Sequence, residues 1–256
     1  MPAPAENRVV MNTARRRPPP DLLPATLLLL TATTGLIDAV AFLGLGRVFT
    51  ANMTGNVVFL AFAIAGAQGL SVSASVLALA CFLAGAVAGG RLAVAMDQQS
   101  RRRWMTIATS GEALLLAGAV VAAIGVPVDG TFGQRWPIVA LTAAAMGVRN
   151  ATVRRLGAAD LTTTVLTLTL TGLAADSSLA RGSNPRPVRR FGSVVAMFSG
   201  ALVGAVLVLH HGLVWPLAIA CGFAVLAIGA FLLQADPTPS PANSAPATPT
   251  GSARSG

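Results

Sequence analysis

Charge is scarce in this chain. Of its 256 residues, 11% are Asp, Glu, Lys or Arg and 54% are hydrophobic, whereas soluble domains carry about 25% charged residues. Mean hydropathy is +0.70. A water-soluble globule is excluded. Lysine is missing altogether, so all 18 basic residues are arginine. Cysteine occurs twice, as Cys81 and Cys221, each inside an apolar run; both read as small buried hydrophobes and not as a disulfide or a metal pair. The sequence also lacks a Ser/His/Asp set, a Cys/His metal spacing and a phosphate loop. No enzymatic activity, cofactor or metal is expected. Strands of alternating polarity about ten residues long are absent too, which excludes a β-barrel.

Long hydrophobic runs are present instead. Between Leu22 and Leu233 they recur at roughly 22–46, 48–66, 72–95, 104–126, 136–148, 160–175, 192–210 and 213–234. Crossing a hydrocarbon core of ~30 Å takes about 20 apolar residues in a helix. In lipid, every backbone N–H and C=O must be paired within its own segment. The fold class expected is therefore an all-α polytopic bundle in a bilayer. Residues 1–21, with Arg8, Arg15, Arg16 and Arg17 followed by Pro18-Pro19-Pro20, read as a basic disordered tail. Residues 235–256, rich in Pro, Ser, Ala and Thr, read as a second one. The membrane domain is 22–234.

The formal net charge of +9 does not indicate nucleic acid. The arginines cluster at 15–17, 91–103, 149–155 and 181–190, in loops and termini, as orientation signals at the cytoplasmic face. If all eight segments crossed, Arg101, Arg102 and Arg103 would oppose Arg15–Arg17, and Arg154 and Arg155 would oppose Arg189 and Arg190. Making 48–66 and 160–175 turn back resolves both conflicts. The expectation is six crossings in a bacterial inner membrane, both termini cytoplasmic, and two re-entrant or broken segments. Eight crossings with unusual loops is the rival.

The sequence also repeats itself. Gly35, Asp38, Ala39 and Thr50 match Gly147, Asn150, Ala151 and Thr162 at an offset of 112, and Gly85-x-x-x-Gly89 matches Gly200-x-x-x-Gly204 at 115. The halves, about 22–126 and 136–234, would each hold three crossings, so the second would be inverted. Inverted halves whose broken helices meet near the midplane are a transporter plan.

Several polar residues sit at lipid depth. Asp38 lies mid-segment, where an aspartate costs roughly 2.5–3.5 kcal/mol; it is either functional or a structural cap. Asn52, Thr54, Gly55 and Asn56 form a polar cluster at a broken helix, open to a solute-binding or a helix-tying role. Asn150 is the uncharged counterpart of Asp38. Thr163 and Thr164 begin a threonine-rich stretch in which Thr164, Thr167 and Thr171 share a helical face; helix-to-helix bonding is its favoured role. Arg149, Arg154 and Arg155 belong at the interface, since three central arginines would cost about 8 kcal/mol. Glu112 fits a gate, a partner for an arginine or an interfacial acid. Asp176 suits a loop pair with Arg181, and His210-His211 splay too far apart for a metal. Gly85, Gly89, Gly200 and Gly204 are helix-packing surfaces.

The strings Gly35-x-x-Asp38-Ala39, Val48-Phe49-x-Ala51-Asn52-Met53-Thr54-Gly55-Asn56 and Asn150-Ala151-x-Val153-Arg154-Arg155-Leu156-Gly157 resemble the YoaK family of bacterial inner-membrane proteins, over about 22–234. The resemblance implies about six helices and supplies no substrate. Relatives carry a Thr-Gly pair after the Arg-Arg-Leu-Gly string, where this chain has Thr164-Val165-Leu166-Thr167. Two functions stay open. One is a small-solute transporter or channel binding at Asp38, Asn52, Thr54, Gly55, Asn56, Asn150, Thr163 and Thr164. The other is a non-transporting scaffold or partner protein. The partners expected are the lipid bilayer, a small solute or ion, and no nucleic acid. A loose likeness of Gly90-Arg91-Leu92, Asp97 and Arg101–Arg103 to the cytoplasmic loop of the major-facilitator half-bundle would require a homodimer.

Overall fold

The computed structural model describes residues 22–128, 131–157, 166–177, 180–182 and 187–233. Both tails, and Thr163 and Thr164, lie outside the described residues. Those residues form eight α-helices and no strand: α1 (Leu23–Gly44), α2 (Met53–Ile64), α3 (Val72–Ala95), α4 (Arg101–Ala123), α5 (Phe132–Arg155), α6 (Leu166–Ala175), α7 (Pro187–His211) and α8 (Val214–Leu233). Local chemistry fixes several starts. Pro24 opens α1, where a missing N–H is harmless. Ser71 and Ser100 accept from the amides of Ala74 and Arg103, capping α3 and α4.

Five helices, α1, α3, α4, α7 and α8, are long and apolar enough to cross a membrane. Helix α5 equals them in length, with 24 residues, but Arg149 and Asn150 lower its hydropathy. It extends to Arg155, past the apolar limit expected at 148, so three arginines are helical. Helix α2, with 12 residues, rises only about 18 Å. The described α6 has 10 residues and is helical where its alternating threonines also allowed a strand.

Apolar side chains stack in three layers along the bundle. At one end Leu27 and Leu30 of α1 meet Trp104 and Met105 of α4, Val153 of α5, and Ala227 and Phe231 of α8. The middle layer joins Leu36 and Ile37 to Ala113, Leu116, Ala145, Met146, Ala220 and Ala224. The far layer holds Val40, Ala41, Ala119, Ala123, Ile138, Val139 and Leu217. Residue numbers rise through the layers in α1 and α4 and fall in α5 and α8, so α1 and α5 run in opposite directions. Within α1's apolar window 67% of residues are buried, against 22% in α7; α1 is central and α7 peripheral.

Two glycine seams join helices distant in the chain, crosswise. In α1 against α7, a Cβ on Gly35 would collide with the carbonyl oxygen of Met197, and one on Gly200 with that of Ala32. In α5 against α3, a Cβ on Gly147 would collide with the carbonyl oxygen of Phe82, and one on Gly85 with that of Ala144. Gly204 meets Leu36 and Ala39, while Gly89 meets Val148 and Ala151. Every α1 or α5 residue in one seam maps to its counterpart in the other at the 112 offset. Every α3 or α7 residue does so at 115. Small residues let backbones touch, the main attraction between helices in lipid.

Candidate functional site

After α1 ends, the chain turns back along it. Val48 packs in the far layer, and Ala51 reaches the middle layer beside Leu36 and Ile37. Helix α2 therefore begins, at Met53, well inside the bundle. Asp38 holds this turn. Its Oδ1 accepts from the amides of Thr50 (3.0 Å) and Ala51 (2.9 Å), and its Oδ2 accepts from the side-chain amide of Asn52. The carboxylate is 4% exposed. Each hydrogen bond to a charged group is worth about 1.5–3 kcal/mol net, so three outweigh the roughly 2.5–3.5 kcal/mol of placing the acid there. The adjacent start of α2 adds the positive end of a helix dipole.

Asn56, fully buried, grips the backbone of Phe49 on both sides of its Cα. Its Oδ1 accepts from the Phe49 amide at 2.8 Å, and its Nδ2 donates to the Phe49 carbonyl. Phe49 in turn forms a three-ring cluster with Phe42 and Phe59, with ring centroids 5.3 and 5.6 Å from its own. Gly55 leaves room for that ring, since a Cβ there would lie 2.7 Å from it. Thr54 faces outward and is exposed. Asp38, Asn52, Gly55 and Asn56 thus converge on one turn, and Thr54 does not join them. Thr50 Oγ1 is buried beside Asp38 with no hydrogen-bond partner among the described residues.

A second polar centre crosses the bundle nearby. Arg149 of α5, 2% exposed, donates to Glu112 of α4, 1% exposed. Its other terminal nitrogen donates to the Leu30 carbonyl (2.8 Å) and Thr34 Oγ1 (3.2 Å) of α1. A cavity of about 10 Å³, room for roughly one water, adjoins the pair and is lined also by Thr109 and Thr152. Arg149 is thus not interfacial, as expected from the sequence, but interior. The insertion penalty applies to an isolated arginine, and this one has three partners. Of the roles open to Glu112, the structure shows the arginine partner. Its depth in an apolar helix was the available signal, since a buried acid needs donors or a cation at like depth.

The remaining residues are dispersed. Asn150 donates to the Met146 carbonyl of its own helix at 3.0 Å. Arg154 and Arg155 are exposed at the end of α5, as are Arg101 and Arg103 at the start of α4, with Arg102 half-buried. Asp176 bonds Arg190 at 2.6 Å instead of pairing with Arg181. In α6 the buried threonine is Thr169, while Thr167 and Thr171 face outward, so the inward face is not the one the spacing suggested. His210 and His211 are exposed at the end of α7. Among the described residues no three His, Cys, Asp or Glu side chains cluster as metal ligands.

The UPF0700 transmembrane protein YoaK of Bacillus subtilis (strain 168) is 34% identical over 157 residues, 59% of this chain and 66% of that protein. The match thus reaches slightly less than two thirds of the relative's length. No solved structure matches the chain. The profile described as "Protein of unknown function (DUF1275)" matches residues 26–230, across both glycine seams and both polar centres. This multi-pass membrane protein belongs to the DUF1275 family.

Proposed function

We propose that the chain is a small-solute transporter or channel built from two inverted three-crossing halves in the bacterial inner membrane. The observation that carries the reading is the inward turn of residues 45–52, which starts α2 at the depth of Asp38. A helix that begins inside a bilayer exposes free backbone N–H groups, tolerable only against protein or a water-filled cavity, and such ends bind solutes in inverted-repeat transporters. Three facts support it further. Helices α1 and α5 run in opposite directions, the glycine seams correspond under the two offsets, and the Thr50 hydroxyl lacks a partner beside Asp38. In this reading Asp38, Asn52 and Thr50 face the solute from the first half, and Thr163 and Thr164 from the second. Asn150 lacks the charge of Asp38, so a cation or proton would be held by one half only.

The test is cysteine accessibility at residues 48–56 and 160–167, after replacing Cys81 and Cys221. Labelling by a small aqueous thiol reagent from one side, at positions flanking Asp38, is the expected result. Complete silence across both stretches would overturn the reading.

A second reading, a non-transporting scaffold, is favoured by the hydrogen bonds of Asp38 and Asn56, which all stay within residues 38–56. It predicts that Asn52→Leu lowers abundance and thermal stability together. The transporter reading predicts normal abundance with solute flux lost.

A further inference from the structure

At the arginine-bearing end of the bundle, a cavity of about 240 Å³ opens between the end of α3, the start of α4 and the end of α5. Its polar lining is Arg101, Arg155, Asp97, Gln99 and Trp104, and apolar side chains such as Met96 complete the wall. Trp104 is 8% exposed, and its ring is fixed in the apolar layer with Leu27 and Phe231. Its indole Nε1 is buried without a hydrogen-bond partner among the described residues. A buried N–H left unpaired costs about 1–3 kcal/mol.

The acceptors in this cavity are already engaged. Asp97 takes Arg155, and Gln99 Oε1 takes Arg103 at 2.9 Å. What the cavity offers is therefore donors: two guanidinium groups and the first turn of α4, whose positive dipole end favours an anion. Guanidinium groups match phosphate oxygens in pairs. Apolar walls beside these donors, at the level where helices leave the hydrocarbon, suit the glycerol and first methylenes of a lipid.

From this we infer that the cavity is a phosphate-binding site whose occupant is the headgroup of an anionic phospholipid or a free phosphate. Arg101 and Arg155 bind the phosphate oxygens, and the Trp104 ring forms part of the wall. Asp97 competes for Arg155 and is displaced when the site fills. Basic pockets between membrane helices at the cytoplasmic side commonly serve this purpose. The inference stands whether or not a solute crosses the protein.

Thermal unfolding of the full chain in neutral detergent tests it, with phosphatidylglycerol, phosphatidylcholine or inorganic phosphate added. Phosphatidylglycerol should raise Tm about 4 °C or more above phosphatidylcholine. The doubly substituted Arg101→Gln/Arg155→Gln protein should lose most of that rise. Asp97→Asn should enlarge it. An equal rise with millimolar inorganic phosphate assigns the site to the free anion. Equal effects of the two lipids with no effect of phosphate overturn the proposal, as does a rise that survives in Arg101→Gln/Arg155→Gln.

Discussion

Arg149 and Glu112 face each other across the α4–α5 hairpin with both side chains almost completely buried. Both are shut off from bulk solvent, and the same guanidinium bonds α1 through Leu30 and Thr34. The pair therefore ties three helices at one depth. Removing one charge strands the other, at about 3–5 kcal/mol, whereas replacing both with apolar residues of similar size is often neutral. Glu112→Leu and Arg149→Met should each lower stability by that amount, and Glu112→Leu/Arg149→Met should recover most of it. Unfolding followed by tryptophan fluorescence in detergent measures the cycle. Additive losses in the double substitution would show that the two do not act as a pair.

The seams predict which glycines tolerate a methyl group. Gly35→Ala, Gly85→Ala, Gly147→Ala and Gly200→Ala each drive a Cβ into a backbone carbonyl of the facing helix, and should destabilise by roughly 1–3 kcal/mol. Gly90→Ala, in α3 with nothing within 4 Å of the added atom, should be neutral or stabilising by up to about 1 kcal/mol, from helix propensity. Melting temperatures of the five proteins, side by side, decide this.

Asp38 and Asn56 should differ in what their loss exposes. Asp38→Ala strands two buried amides, of Thr50 and Ala51, at about 1–3 kcal/mol each. Asn56→Leu releases both the N–H and the carbonyl of Phe49 and loosens the three-ring cluster. Hydrogen exchange should rise at residues 49–52 in both variants. In Asn56→Leu it should extend to the first turn of α2. Unchanged protection would mean that the turn is held by something else.

Topology reporters give the fourth prediction. Fusions after Gln99 and after Ser183 should both report the cytoplasm, and one after Gly66 the opposite side. A reporter after Gly66 on the cytoplasmic side would mean that residues 48–66 traverse the bilayer, and the inverted arrangement would fail.

Much of the architecture was readable before any coordinates. Apolar runs located all eight helices because lipid tolerates little else. Gly85, Gly89, Gly200 and Gly204 stood out because small residues four apart leave a groove. Reading failed where a residue's cost depends on a distant partner. Arg149 was assigned to the interface by a penalty that treats each arginine alone, and Glu112 lies 37 residues away on another helix. The partner of Asp176 was misread for a related reason. Arg181 is nearer in sequence, but Arg190 on α7 is the one that reaches it. Asp38 was correctly singled out as costly. That its oxygens would be met by the amides of residues 50 and 51 required the chain to fold back, which no periodicity encodes.

The crosswise glycine seams bear on how the protein is made. Helix α1 finds its closest neighbour in α7, so the first segment to enter the bilayer must wait for nearly the last before its small-residue face is covered. During synthesis that face stays open to lipid or to an insertion chaperone. Loss of the C-terminal two helices would leave α1 without its mate, and a nonsense mutation after α6 should yield a chain marked for degradation.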